Sequence, residues 1–123
     1  MKSTDTSKRD IANFLRDFKA AAEETGIFIS DRPKNTHALI DLNITRAIQI
    51  EEMLALTPED YCAGPEQDYD RPDDVVWIFG KRMLGVEVYI KLKIFTISNG
   101  SDRAKCISFH RAESKLSYPL KNC

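Results

Sequence analysis

Hydrophobic and polar positions change period partway along the chain. Ile11, Phe14, Leu15, Phe18, Ala21 and Ala22 recur at steps of three and four, which places them on one face of a helix. Ser7 stands at the N-cap with Asp10 three positions on, and Gly26 is the natural stop. Ile27-Phe28-Ile29 then reads as a short strand. Asp31-Arg32-Pro33 breaks it and opens a second helix with Pro33 in its first turn. Ala38, Leu39 and Leu42 form its apolar face, and Asn43 ends it. Thr45 caps a third helix with apolar positions Ala47, Ile48, Ile50, Met53 and Leu54. Thr57-Pro58-Glu59-Asp60 gives a short helical turn. Residues 63–74, with Gly64, Pro65, Pro72 and five acids, read as a loop.

From Val75 the period becomes two. Val75-Val76-Trp77-Ile78-Phe79 is a short apolar strand with Trp77 and Phe79 expected in the core, and Gly80 to Gly85 supplies a turn. In the next run Val86, Val88, Ile90, Leu92 and Ile94 fall on one face and Glu87, Tyr89, Lys91 and Lys93 on the other. Asn99-Gly100 suits a hairpin turn, and Lys105 to His110 returns. The expected architecture is α+β. A mainly helical part, 1–62, leads through the acidic loop, 63–74, to an antiparallel meander of about three strands within 75–112. A tail, 113–123, completes a single domain.

The hairpin fixes which side chains share the polar face. A two-residue loop at Asn99-Gly100 sets Tyr89 opposite His110, Lys91 opposite Ser108 and Lys93 opposite Cys106. A four-residue loop sets Lys91 opposite His110 and Lys93 opposite Ser108. Either places Tyr89, Lys91, Lys93, Ser108 and His110 together. A loop of odd length would turn Ile107 and Phe109 onto that face and spoil the amphipathic sheet, so an even loop is expected.

Charge sharpens the picture. The total is −1, yet residues 1–74 hold 9 Lys and Arg against 16 Asp and Glu, a net of −7, while residues 75–123 hold 9 against 3, a net of +6. Such asymmetry points to a polyanion for the basic half, although charges scattered over a solvated surface would serve as well. No run approaches the ~18 apolar residues of a membrane span, and the polar start, Met1 to Thr6, lacks an apolar signal core. Cys62, Cys106 and Cys123 form no close pair, which fits a reducing cytoplasm. His37, within the second helix, is expected to be a surface or half-buried side chain rather than a ligand. No zinc spacing, calcium loop or phosphate loop is present, and the acidic loop is expected to be solvated rather than metal-bound.

Adjacent lysines on one face repel each other, and an RNA backbone would relieve that repulsion. Tyr89 can stack on a base. His110 can serve as general acid or base. RNA carries its own nucleophile, the 2′-hydroxyl, so such a set can cleave it without a metal. The same side chains also suit the outer face of any half-buried sheet. Cys106, on or beside this face, is expected to be a small packing residue.

Glu87-Val88-Tyr89-Ile90-Lys91-Leu92-Lys93, followed by Cys106-Ile107-Ser108-Phe109-His110-Arg111-Ala112-Glu113, resembles the core of bacterial toxins of the RelE/ParE superfamily, in the branch labelled MqsR-like (motility quorum-sensing regulator). Arg32-Pro33-Lys34-Asn35, Leu56-Thr57-Pro58-Glu59-Asp60-Tyr61, Gly64-Pro65-Glu66, Val76-Trp77-Ile78-Phe79-Gly80-Lys81 and Tyr118-Pro119-Leu120-Lys121 follow that branch in order. The resemblance runs from about Arg32 to Lys121. It implies a type II toxin–antitoxin toxin, a metal-independent mRNA endoribonuclease needing no cofactor. Its partners would be mRNA, on or off the ribosome, and a cognate antitoxin protein of helix-turn-helix type.

The family's catalytic tyrosine matches Tyr89. Its lysine after Ser-Phe is replaced by His110, its glutamine after the tryptophan by Ile78, and its lysine near Tyr61 by Cys62. Only Tyr89 carries over from the resemblance; together with the polar sheet face it points to catalysis by Tyr89, His110 and Lys91, and RNA binding by Lys81, Lys93, Ser108 and Arg111. Two other functions compete: a toxin of this fold acting by binding, as the ParE branch does on DNA gyrase, and an interaction module with no enzymatic activity.

Overall fold

A computed structural model describes residues 6–121. Met1 to Asp5, Asn122 and Cys123 lie outside the described residues, so the expectations placed on the N-terminal start and on Cys123 find no structural counterpart. The elements are α1 (Lys8–Thr25), β1 (Ile27–Ile29), α2 (Pro33–Asp41), α3 (Arg46–Leu54), a 3₁₀ turn (Pro58–Asp60), β2 (Tyr61–Gln67), β3 (Val75–Met83), β4 (Val86–Thr96) and β5 (Asp102–Arg111).

The architecture is α+β, but the sheet is larger than a three-strand meander. Five strands lie in the order β1-β5-β4-β3-β2 among the described residues, with β1 parallel to β5 and the other pairs antiparallel. Two parts of the sequence reading are corrected. Residues 61–67 are an edge strand, so the first part of the loop expected over 63–74 is instead paired, irregularly, to β3. An edge strand tolerates Gly64 and Pro65 because one side of its backbone needs no partner. Residues 80–83 extend β3 rather than turning, and the turn is confined to Leu84 and Gly85.

Helix α1 follows its periodicity closely. The Ser7 side chain accepts from the Asp10 N–H, Gly26 closes the helix with its N–H on the Ala22 carbonyl, and the six expected positions are all buried. They cover the inner sheet face, where Trp77, Phe79, Val88, Ile90, Leu92, Ala104, Cys106 and Phe109 complete one core. Phe14 stacks on Trp77 with ring centroids 4.8 Å apart. Truncating a fully buried side chain such as Phe18 would cost about 3–5 kcal/mol.

Helix α3 is rotated from its expected face. Met53 is buried as read, but so is Gln49, while Ala47, Ile48 and Leu54 are exposed. Arg46 donates to the Gln49 side-chain oxygen at 2.6 Å, while the Gln49 amide nitrogen is buried with no partner among the described residues. In α2 the buried residues are Asn35 and Ala38, with Leu42 buried just beyond its end. Asn43 follows at φ 56, a conformation that asparagine tolerates.

The β4–β5 hairpin departs from the expected even loop. Thr96 pairs with Asp102. Ile97 and Ser101 then flank a three-residue turn, with the Ile97 N–H on the Ser101 carbonyl and the Gly100 N–H on the Ile97 carbonyl, both 2.9 Å. Gly100 alone in this turn takes positive φ, at 89°, which is the three-residue hairpin geometry rather than one with both Asn99 and Gly100 left-handed. An odd loop should have reversed the faces of β5. A register shift after Lys91 and Leu92 prevents this: Leu92 pairs with Cys106, Lys91 with Ser108, and Ile107 is the extra residue between them. The bulge restores the parity that the loop removes. Lys93 consequently pairs with Lys105, and Cys106 lies in the core with its thiol pushed up to about 12 by burial.

Candidate functional site

Opposite the helical face, the sheet presents Ile78, Gly80, Tyr89, Lys91, Ser108 and His110 in neighbouring register positions: Gly80 pairs with Tyr89 and Tyr89 with His110, while Ile78 pairs with Lys91 and Lys91 with Ser108. The Tyr89 and His110 rings stack, with centroids 5.5 Å apart and planes 24° from parallel. Burial pushes the Tyr89 hydroxyl above its ordinary pKa, and Glu66, Cys62 and Glu113 act in the same direction. That hydroxyl is therefore protonated at neutral pH, a proton donor rather than a phenolate. His110 Nδ1 lies 2.9 Å from the Arg111 carbonyl oxygen. A carbonyl can only accept, so Nδ1 carries the hydrogen and the neutral ring keeps its lone pair on Nε2.

Two structures bracket this strip. At one end the tail folds back over the sheet. Leu116 N–H and the Tyr118 hydroxyl both donate to the Glu87 carboxylate, at 3.2 and 2.9 Å, and these bonds hold Glu87 below its usual range against the effect of burial. Gly80 makes the approach possible, since a Cβ there would lie 2.6 Å from Leu116 Cδ1 and 2.6 Å from the Tyr118 oxygen. At the other end the turn 68–74 crosses the sheet. Asp68 and Asp74 each take a hydrogen bond from Lys93 Nζ, at 2.6 and 2.8 Å, and Lys93 is only 3 % exposed. Two carboxylates of the acidic segment thus clasp a lysine, while Glu66, Asp70 and Asp73 remain exposed as expected of a solvated loop.

Four of the seven expected site residues stay together and three do not. Tyr89, His110, Lys91 and Ser108 share the strip. Lys93 lies on the same face but is sealed by its two aspartates. Lys81 pairs with Val88 on the inner face, where its ammonium meets Glu52 of α3 at 2.9 Å. The β3–β4 turn was expected over Gly80 to Gly85, and extending the strand to Met83 puts Lys81 in a fixed alternation away from Tyr89. Arg111 also pairs with Val88 and is held by Asp41 through two hydrogen bonds of 3.1 and 3.2 Å. Cys62 has its thiol pKa pushed up to about 12, by burial first and by Glu87 and Asp60 next.

Other residues enter from α2, outside the hairpin. The Asn35 amide donates to the Ser30 and Ile107 carbonyls at 3.0 and 2.9 Å, and its oxygen accepts the Phe109 N–H at 2.9 Å. β1 ends at Ile29, and the Asn35 side chain takes over the edge of β5 where that strand bulges. Lys34 forms an ion pair with Glu113, and Arg32 reaches Asp70 at 3.8 Å. These contacts span sequence separations of 72 to 79 residues for Asn35 and Lys34, so no local periodicity announces them. Among the described residues no group of three or more His, Cys, Asp and Glu side chains is placed to hold a metal ion, and no helix is long and apolar enough to cross a membrane.

No protein-family model, curated protein or solved structure gives a significant match to this chain.

Proposed function

We propose that this protein is an endoribonuclease toxin, of the MqsR-like RelE/ParE type that its sequence resembles, and that it cuts mRNA on the Tyr89–His110 strip without a metal. The observation that carries the proposal is the stacked pair itself: a protonated phenol beside an imidazole whose Nδ1 is held by the Arg111 carbonyl, on an open sheet face, next to Lys91. Lys91 makes no ion pair with any described residue, so its charge is available to a ligand.

The chemistry balances with these groups alone. His110 Nε2 takes the proton of a ribose 2′-hydroxyl. The 2′-oxygen attacks the adjacent phosphorus, and the bond from phosphorus to the 5′-oxygen breaks. Tyr89 gives its proton to that departing oxygen, leaving a 2′,3′-cyclic phosphate and a 5′-hydroxyl. Lys91 stabilises the charge that builds on the phosphoryl oxygens. His110 thus replaces the family's lysine as an acid–base group, while Ile78 beside Lys91 provides an apolar wall where the family has glutamine.

The test is induced expression in a bacterium, with growth and full-length mRNA followed together. Arrest with loss of full-length mRNA is the expected result. Arrest with mRNA intact would favour action by binding another protein, and uninterrupted growth would favour an interaction module. A cognate antitoxin protein and cytoplasmic action belong to the same proposal; co-purification of a neighbouring gene's product that suppresses arrest would test the former.

A further inference from the structure

Between the start of α2 and the outer face of β5 lies a groove of ≈ 450 Å³ lined by Arg32, Pro33, Lys34, Asn35, Ser108 and His110. Arg32 is the N-cap of α2 but supplies no capping hydrogen bond. Pro33 has no N–H, so the open donors at this positive helix end are the backbone N–H groups of Lys34 and Asn35. The opposite wall gives an independent sign of a ligand. Ser108 is 5 % exposed, lines the groove, and its hydroxyl makes no hydrogen bond to a described residue. Without a partner among the described residues, this hydroxyl keeps its hydrogen-bonding capacity for whatever occupies the groove it lines. The Asn35 side chain is fully engaged with Ser30, Ile107 and Phe109, and so fixes the distance between the two walls.

Two cations stand at the mouth, each in an exposed ion pair: Arg32 with Asp70 and Lys34 with Glu113. Exposed pairs hold weakly, and an entering anion can exchange with either carboxylate. At His110 the groove meets a second one, ≈ 270 Å³, lined by Tyr89, His110, Glu113, Ser114 and Leu116. A strand running through both would present one phosphate to the helix end and the next to the imidazole. We infer that the Arg32–Lys34–Ser108 groove binds one phosphodiester of an RNA strand, next to the phosphate being cut. The inference rests on the nuclease reading for its ligand, but its test separates the two.

The isotope-labelled full chain is titrated with a short 2′-O-methyl RNA, which lacks the nucleophile, and separately with inorganic phosphate, while cleavage of the unmodified RNA is followed in parallel. The expected result is amide shifts at Lys34, Asn35 and Ser108. The double variant Arg32→Ala, Lys34→Ala should bind the oligonucleotide about tenfold more weakly, with a log–log salt slope smaller by about 0.7, one phosphate's worth on a single strand. Both substituted side chains are largely exposed, and an unchanged melting curve would confirm that the variant folds. Ser108→Ala should also weaken binding. Unchanged affinity in the double variant, or shifts confined elsewhere, would overturn the inference. Phosphate binding as tightly as the oligonucleotide would assign the groove to a free anion and overturn it too. Groove binding with no cleavage of unmodified RNA would keep the groove and remove the nuclease; cleavage that the double variant matches would do the reverse.

Discussion

Lys91 and Lys93 stand two residues apart on one strand and one face, and their surroundings are opposite. Lys93 is buried under the 68–74 turn, bonded to Asp68 and Asp74. Lys91 lies between Ile78 and Ser108, half-buried and without an ion pair among the described residues. One end of the polar sheet face is therefore closed by the protein's own carboxylates, and the other is left with a stacked phenol and imidazole. A lysine that the fold satisfies is a structural part. A lysine that it leaves unsatisfied on a face with proton donors and acceptors is where a phosphate can bind. The charge asymmetry between the two halves of the chain has the same explanation in part: some of the acidic excess is spent on the basic sheet.

The comparison can be broken by substitution, and the largest effect belongs to the open end. His110→Ala should lower RNA cleavage by about 10²–10⁴-fold with little change in stability, since it removes one proton-transfer group; rates on a defined oligonucleotide, beside a melting curve, check this. At the closed end Lys93→Met should cost about 3–5 kcal/mol by stranding two carboxylates, whereas Lys91→Met should stay within about 0.5 kcal/mol. Urea midpoints of the two variants decide whether the lysines differ as described; equal losses would erase the distinction.

Asn35→Leu should cost about 1–3 kcal/mol for each of the Ile107 and Phe109 backbone groups it leaves unpaired. Hydrogen exchange at Phe109 is the specific readout, because the protecting acceptor would be gone. A smaller effect comes from acid. Burial raises the Asp68 carboxyl, but Lys93 and the Asp70 N–H outweigh it, so its folded value lies below the ordinary 3.8. A lowered folded value contributes stability that is present above the ordinary value and is lost as the pH falls through the lowered one. The urea midpoint should therefore decline below about pH 4, and less steeply in Asp68→Asn.

Elements whose contacts are local were legible in the sequence. Ser7, Gly26 and the six inward residues of α1 specify that helix without outside help, and the alternation of Val86 to Ile94 specifies β4. The hairpin shows the limit. An even loop was expected because an odd one reverses the faces, and the compensating bulge at Ile107 is held by Asn35, a residue 72 positions away. Pattern along one strand carries no trace of that amide. The same holds for the site. Tyr89, Lys91, Ser108 and His110 were placed together by alternation and an assumed even loop, a placement that survives only because the Ile107 bulge offsets the odd one. Lys81 and Arg111 were lost to the inner face through strand extension and pairing, and Lys93 to a turn whose carboxylates looked solvated.

The most direct measurement is cleavage of a defined RNA by the purified protein in excess chelator, with the product ends identified. The expected result is cutting that leaves a 2′,3′-cyclic phosphate and a 5′-hydroxyl, reduced by about 10²-fold or more in Tyr89→Phe. Intact RNA with the folded wild-type chain, or equal cutting by Tyr89→Phe, would contradict catalysis on the Tyr89–His110 strip.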